Sequence, residues 1–510
     1  MKLHRVSHAR RLLKDERGQT MTMVVVGMVA FIGVAGVAID LGHAFYAREQ
    51  LQNSSNAAAL AGAAALPNTT AATTAVTAYS ALPGDHGATS ALTNVSLGST
   101  PTYQCLTTLT TNEGLGCATA TGTPSGAYNA VKVTQTAKVP LWFGGMFGVP
   151  AFNISATATA AMAGGPMVPY NVAVILDTTS SMTATDSGLQ CSGTQESCAL
   201  QGVQTMLGLM YPCASGTTCT SSSTPVDSVS LFVFPAVTSG TTTTGNGTNA
   251  NDYTCGASVP VPSPYTFQNV TTGTLANGLL NLPSTLTYQI TPFSHDYRTT
   301  DATTTLNPSS LTTIAAGGKS GCTGIQAKGG EGTYYAQVIY AAQAALIAQQ
   351  AANPGTQNAM IILGDGNMNA SGSSGEIKAT TGTLNGTGSG SNKNSYAYPS
   401  AVGQCGQAIL ATAAAAVTPN ANGANGTRVY TVGYGAPTSG CTTDATYSAY
   451  KGISPCTTLQ DMASSPGYFY SDDGDGCKSP NQLNFTNLKQ IFTAITRTFS
   501  TPRLVPNGTT

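Results

Sequence analysis

Two apolar runs in this chain end on an aspartate. "VPYNVAVILD" stops at Asp177, and "NAMIILGDGNMN" breaks at Asp365. Both are continuous and rich in β-branched or aliphatic residues, as expected of strands buried on both faces. A buried strand has no use for an ionised carboxylate at its end unless something pairs with it. Thr179 and Ser181 follow Asp177 in a D-x-T-x-S spacing, within the same turn. In open parallel sheets, ligands bind beyond the carboxyl ends of the strands where the strand order reverses. Two carboxylates and two hydroxyls meeting there are hard oxygen donors, with no thiolate and no imidazole. That set suits magnesium or manganese, and a cation would offset the cost of two adjacent carboxylates in a partly dry site. The plainer alternatives are that Asp177 caps a helix and that Asp365 is a turn residue.

The elements that must position these residues are legible by periodicity. "ALQGVQTMLGLMYPC" places Leu200, Val203, Leu207 and Met210 at helical intervals. "VDSVSLFVFPAV" and "TRVYTVGYGA" read as further strands, "TYYAQVIYAAQAALIAQQAAN" as a helix and "NLKQIFTAITRTF" as a closing amphipathic helix. Strands alternating with helices predict an α/β domain over 166–500, with a doubly wound, mainly parallel sheet covered on both faces. Within it, about 183–330 reads as a disulfide-rich insert and about 371–395 as a flexible one. "YSDDGDGCKS" offers Asp472, Asp473 and Asp475 as a candidate calcium site. The full D-x-D-x-D-G pattern with a distant Glu is missing, so a solvated acidic turn is the plainer reading.

The chain has 510 residues, enough for two or more folded units, and only 8% of them are charged. A net charge of -1 offers no basic field to hold nucleic acid. Twelve cysteines all lie beyond residue 100 without paired C-x-x-C units, which points to disulfides in an oxidising compartment. Local pairs such as Cys105–Cys117 and Cys191–Cys198 are candidates; a mixture of free and buried thiols is the alternative. The five histidines are scattered, and no nucleophile constellation or phosphate loop stands out, so an enzyme is not expected.

Residues 1–17 form a basic tail with Lys2, Arg5, Arg10, Arg11, Lys14 and Arg17, and Thr20 to Ile39 carry no charge. That run is long enough to cross a bilayer once, with the basic end in the cytoplasm. A cleavable signal, a twin-arginine signal at Arg10–Arg11 and a prepilin-type signal at Gly18 each compete. Met23 stands where the last would place a glutamate, and a retained anchor over 18–42 is the preferred reading. A stem helix is expected over 43–66, with Leu41, Phe45, Leu51 and Leu60 as packing points. A small extracytoplasmic α+β domain should follow over 67–165, where Val131, Val133 and Gln135 alternate with Lys132, Thr134 and Thr136. Its apolar connection "LWFGGMFGVP" holds the only tryptophan, Trp142; residues 501–510 read as a tail.

Residues 16–66, with "RGQ", "GVAIDLG", "FYAR", "LQN" and "AALAGA" in order, resemble the N-terminal segment of TadG-like proteins of Tad (Flp-type) pilus assembly. "SSN" at Ser54–Asn56 replaces the usual Ala-Ala-Asp. From Val168 to Ser500 the chain resembles the von Willebrand factor type A (vWA) domain with its metal-ion-dependent adhesion site. That resemblance implies five metal ligands: Asp177, Thr179, Ser181, Asp365 and Thr333, the last from "GGEGTYYAQ". Thr179 replaces the commoner serine, and Gly364 stands where a hydroxyl residue is frequent. Together the resemblances imply a single-pass protein of the bacterial inner membrane with its bulk outside the cytoplasm. It would be a component of a Tad-type pilus assembly or secretion apparatus. Its partners would be proteins offering a carboxylate to the metal and other pilus-assembly components. A surface adhesin, or a scaffold whose metal only stabilises the fold, are the alternatives.

Overall fold

The structure, a computed structural model, describes residues 16–66, 69–98, 101–106, 128–162, 168–186, 191–214, 217–238, 251–255, 286–301, 303–327, 333–368, 402–417, 426–444, 450–472, 476–479, 485, 487–499 and 502–506. The chain divides into two compact units. Unit 1 comprises 1–106, 128–162 and 502–510, and unit 2 comprises 107–127 and 163–501.

In unit 1, helix α1 (Glu16–Ala64) runs unbroken through both the apolar span and the stem, as a stretch without proline allows. Its side chains from Met21 to Ile39 are largely exposed, whereas Ala47, Leu51, Ala58, Ala59 and Ala63 are buried. Of the expected packing points, Leu51 is buried but Leu41 and Phe45 are 43% and 66% exposed. The packing stripe is made mostly of small residues because the helix lies close to its neighbours. A β-carbon on Gly62 would collide with Val76 of α2 (Thr69–Ala78).

The unit 1 sheet contains β1 (Thr93–Leu97), β2 (Thr102–Gln104), β3 (Ala130–Pro140), β4 (Ala151–Ala161) and β13 (Arg503–Val505). Its order is β1-β3-β4-β13, with β2 also on β3. β3 and β4 pair along their whole length, from Ala130 opposite Ala161 to Pro140 opposite Ala151. Val131, Val133, Gln135, Ala137 and Val139 face inward, and Gln135 tolerates burial because its amide is fully engaged. Its Oε1 accepts from the Ala81 N–H at 2.8 Å, and its Nε2 donates to Ser54 and Ser55 of the unusual "SSN" at 3.2 and 3.1 Å. Residues 503–505, expected as part of a tail, instead form β13. They pair antiparallel with β4 and cover an edge that would otherwise expose unpaired backbone.

Unit 2 is built on a six-stranded sheet of β5 (Tyr170–Asp177), β6 (Ser228–Thr238), β8 (Leu286–Gln289), β10 (Gln357–Gly364), β11 (Arg428–Gly433) and β12 (Phe469–Ser471). The order is β12-β11-β10-β5-β6-β8, parallel except for β8, which runs antiparallel to β6. Every residue of β5 is buried, because both faces are covered. Val172, Val174 and Leu176 pack with Val203 and Leu207 of α3 (Gln195–Leu209) and Ile491 and Ile495 of α7 (Leu488–Arg497). Ala173 and Ile175 belong to the opposite layer, with α4 (Ala336–Ala352), α5 (Gln404–Val417) and α6 (Pro455–Met462).

The region expected as an insert, about 183–330, corrects that expectation. It supplies α3, β6 and β8 of this architecture, as well as a ribbon of β7 (Asn251–Cys255) and β9 (Cys322–Gln326). Arg298 ties it to the end of α3. Its guanidinium donates to the carbonyls of Gly208 at 3.1 Å, Thr303 at 2.6 Å and Met210, answering carbonyls that a helix end leaves open. The proposed flexible stretch at 371–395 lies outside the described residues. Disulfides join Cys191–Cys198, Cys213–Cys219, Cys405–Cys441 and Cys456–Cys477, and no described cysteine is free. Cys105 is disulfide-bonded; its expected partner Cys117 lies outside the described residues.

Asp227, immediately before β6, is buried and accepts backbone N–H bonds from Tyr170 and Tyr211, both at 3.0 Å. Burial outweighs these bonds and Arg298, pushing its carboxyl up to about 7. The folded state therefore holds a proton that the unfolded chain releases near pH 4. Its contribution is present at low pH and lost as pH rises through 7. Thermal unfolding of the full protein should show stability falling between about pH 4 and 7 and levelling above that, and Asp227→Asn should flatten the fall; an unchanged slope would show that Asp227 does not titrate there.

Candidate metal site

β5 leads to β6 on one side, and the chain then continues through β10, β11 and β12 on the other. The strand order thus reverses between β5 and β10, which are neighbours with Leu176 opposite Leu363. In such sheets the reversal opens a crevice at the carboxyl ends. Asp177 ends β5 and Asp365 follows β10, so the topology delivers both carboxylates to that crevice.

Asp177 is only half answered by protein donors. Its Oδ1 accepts the Thr179 N–H at 2.9 Å and the Thr179 hydroxyl at 2.6 Å. Its Oδ2 is buried without a well-formed hydrogen bond, and the Asp365 backbone N–H is the one further protein donor near the carboxylate. Burial first, and then the charge of Asp365, push the Asp177 carboxyl well above the usual range. Burial also raises Asp365, against hydrogen bonds from the Asn367 N–H and from Ser181. Ser181 Oγ lies 2.8 Å from Thr179 Oγ1. A hydroxyl carries one proton. Thr179 spends its proton on Asp177, so Ser181 is the donor in the contact between the two hydroxyls. A hard cation satisfies such a cluster, and the donor chemistry fits magnesium or manganese.

Thr333 is buried, and a parallel bridge sets it against Met368, in the loop that follows Asp365. Asp472 follows β12 and accepts the Gly435 N–H at 3.3 Å; Asp473 and Asp475 lie outside the described residues. Asp186 lies near Cys191 and Cys198, but their sulfurs are bonded to each other and offer no thiolate. Cys191–Cys198 at the start of α3, Cys405–Cys441 and Cys456–Cys477 all tie loops at the carboxyl edge of the sheet, so the crevice has a covalently braced rim. The Asp444 carboxylate adds to this by accepting the N–H groups of Cys405 and Gly406 at 2.9 and 3.2 Å, at the start of α5.

Sequence reasoning missed Tyr335. Its buried hydroxyl accepts the Gly366 N–H at 3.1 Å, and its ring packs 4.5 Å from that of Phe234. A β-carbon built on Gly364 would run into this hydroxyl and come within 3.0 Å of Asp177 Oδ2. The absent hydroxyl at 364 was the signal: the space is filled from α4's leading loop instead. Gly364→Ala should therefore destabilise the protein by about 1–3 kcal/mol, the usual range for overpacking. Adding Tyr335→Phe should restore part of the loss. Additive losses in chemical denaturation would show that the two positions are not in conflict.

Residues 18–65 match the family model of Flp pilus-assembly TadE/G-like proteins, and residues 48–160 match that of Tad-like Flp pilus-assembly proteins. The first match covers the span and stem; the second covers the stem and most of the unit 1 sheet, and also takes in residues 107–127 of unit 2. No curated protein matches the chain. Among solved structures, the PilB minor pilin from Streptococcus sanguinis aligns at 12% identity over 73% of this chain and 76% of that one, with a TM-score of 0.33, too low to carry an argument. The two overlapping family matches make residues 18–160 similar to Tad-type pilus-assembly modules and support a pilus-related role for the chain that carries them.

Proposed function

We propose that this protein is a membrane-anchored, non-catalytic component of a Tad-type pilus assembly or secretion apparatus, and that unit 2 is a vWA-like domain that binds protein partners through a divalent cation. α1 would cross the inner membrane once, with the basic tail in the cytoplasm and the rest of unit 1 beyond the span, together with unit 2, outside it. The observation that carries the metal reading is Asp177 Oδ2: a buried carboxylate oxygen without a well-formed hydrogen bond, at the strand reversal that also receives Asp365. The strand order, with its single antiparallel edge strand, is consistent with the vWA reading.

A bound magnesium or manganese would supply an open coordination position for a partner's carboxylate. The chain's own residues do the rest. Asp177 and Asp365 provide the negative charge, Thr179 and Ser181 orient the carboxylates, and Thr333 is the fifth proposed ligand. Tyr335 fills the space beside Gly364, and the disulfides hold the surrounding loops.

The test is a cross-linked pull-down of the full-length protein from its own envelope in magnesium, in EDTA, and with Asp177→Ala in magnesium. The same prey should be lost in EDTA and in the variant. Prey retained in all three samples would overturn the metal-dependent reading and leave unit 1 as the binding element.

A further inference from the structure

Among the described residues, the tip joining β3 to β4 carries the largest group of exposed apolar side chains outside the span. From Leu141 to Phe152 it carries no charge, and Trp142, Met146 and Phe147 are 66%, 82% and 67% exposed. Within unit 1 this tip is clasped to α1 at the outer end of the span. Asp40, buried despite following the apolar run, accepts the N–H groups of Trp142 at 2.8 Å, Phe143 at 3.0 Å and Gly144 at 2.6 Å. One turn further into the span, a β-carbon on Gly36 would lie 2.9 Å from Phe143 Cγ. One turn outward, the His43 ring stacks on Trp142 with centroids 4.7 Å apart. At 1.5 Å per residue, Phe143 therefore meets the helix about 6 Å inward of Asp40, alongside residues of the span itself.

The backbone of the tip is closed in a way that water does not require. Beyond the three N–H groups on Asp40, Leu141 donates to Pro150 at 2.9 Å, Met146 to Phe143 at 3.0 Å and Val149 to Gly144 at 3.0 Å. A loop facing solvent can leave such groups to water, whereas a loop meeting hydrocarbon must answer them internally. With α1 as the span, Trp142 falls at its outer end, where interfacial tryptophans lie, and Lys138 at the base of the tip is exposed.

We infer that the β3–β4 tip is a second membrane contact, fastened to α1 through Asp40, with Trp142 at the bilayer interface and Met146 and Phe147 among the acyl chains. This rests on the reading of α1 as a membrane span, and the two can fail separately. Full-length protein is incorporated into phosphatidylcholine vesicles and floated, and the emission of Trp142 is then read. Emission should be blue-shifted, quenched by lipids brominated on their acyl chains and protected from aqueous iodide. Moving the probe with Trp142→Phe and Phe147→Trp should increase the quenching by deeply brominated lipid. Protein that floats but shows iodide quenching and no bromolipid quenching would overturn the tip as a lipid contact and favour a protein-facing role. Protein that does not float would overturn the span, and the tip with it.

Discussion

Placing a carboxylate in an apolar setting is the constraint around which this molecule is organised. Desolvating an ionised group costs more than a domain can spare unless dipoles, charges or protons answer it. A chain with only 8% charged residues has few opposite charges to offer, so it answers mostly with backbone N–H groups. Asp40 receives three from the β3–β4 tip, Asp227 two from the ends of neighbouring segments, and Asp444 the leading amides of α5. Each such bond joins parts of the chain distant in sequence, so the carboxylates act as fasteners.

Asp177 departs from this pattern. One of its oxygens is served by Thr179, the other has no well-formed hydrogen bond, and Asp365 is delivered to the same crevice by the next strand of the sheet. A sheet that needed only stability would place an aliphatic residue there. The surrounding construction supports a site that has to keep its shape: three disulfides tie the loops of that edge, and the Tyr335 hydroxyl takes the space beside Gly364. Unit 1 follows a different logic, with a small-residue stripe on α1 that allows close packing against a twisted antiparallel sheet, and its similarity to Tad-type pilus-assembly families covers that architecture.

Much of this was legible in the amino-acid sequence alone. The uncharged run Thr20–Ile39, the alternation in β3, the continuous apolar strands ending at Asp177 and beside Asp365, and the helical spacing of α3, α4 and α7 are all local signals. They are local because side-chain period and apolar run length depend on residues within a few positions of one another. Other features lay beyond that range. The identity of the buried stripe on α1 depended on how closely the sheet approaches, which favoured Ala47, Ala58 and Ala63 over Leu41 and Phe45. The stretch about 183–330 looked like an insert because polar and cysteine-rich segments separate its strands. The strand at β6 was legible, but only pairing across the sheet shows β8 as integral. Likewise, β13 is three residues long, too short to carry a periodic signal, and exists because β4 offers it an edge.

Sequence by itself determined the residue types available to chemistry: hard oxygen donors at two strand ends, a basic tail before an uncharged span, and cysteines confined to the region beyond residue 100. Tertiary structure decided which of them meet. It set β5 beside β10, left Asp177 Oδ2 without a well-formed hydrogen bond, brought Tyr335 to Gly364 and folded the β3–β4 tip onto Asp40. The physical reason is one of range. Composition and periodicity act along the chain, whereas the cost of an unanswered charge or a clashing atom is set by neighbours that only folding brings together.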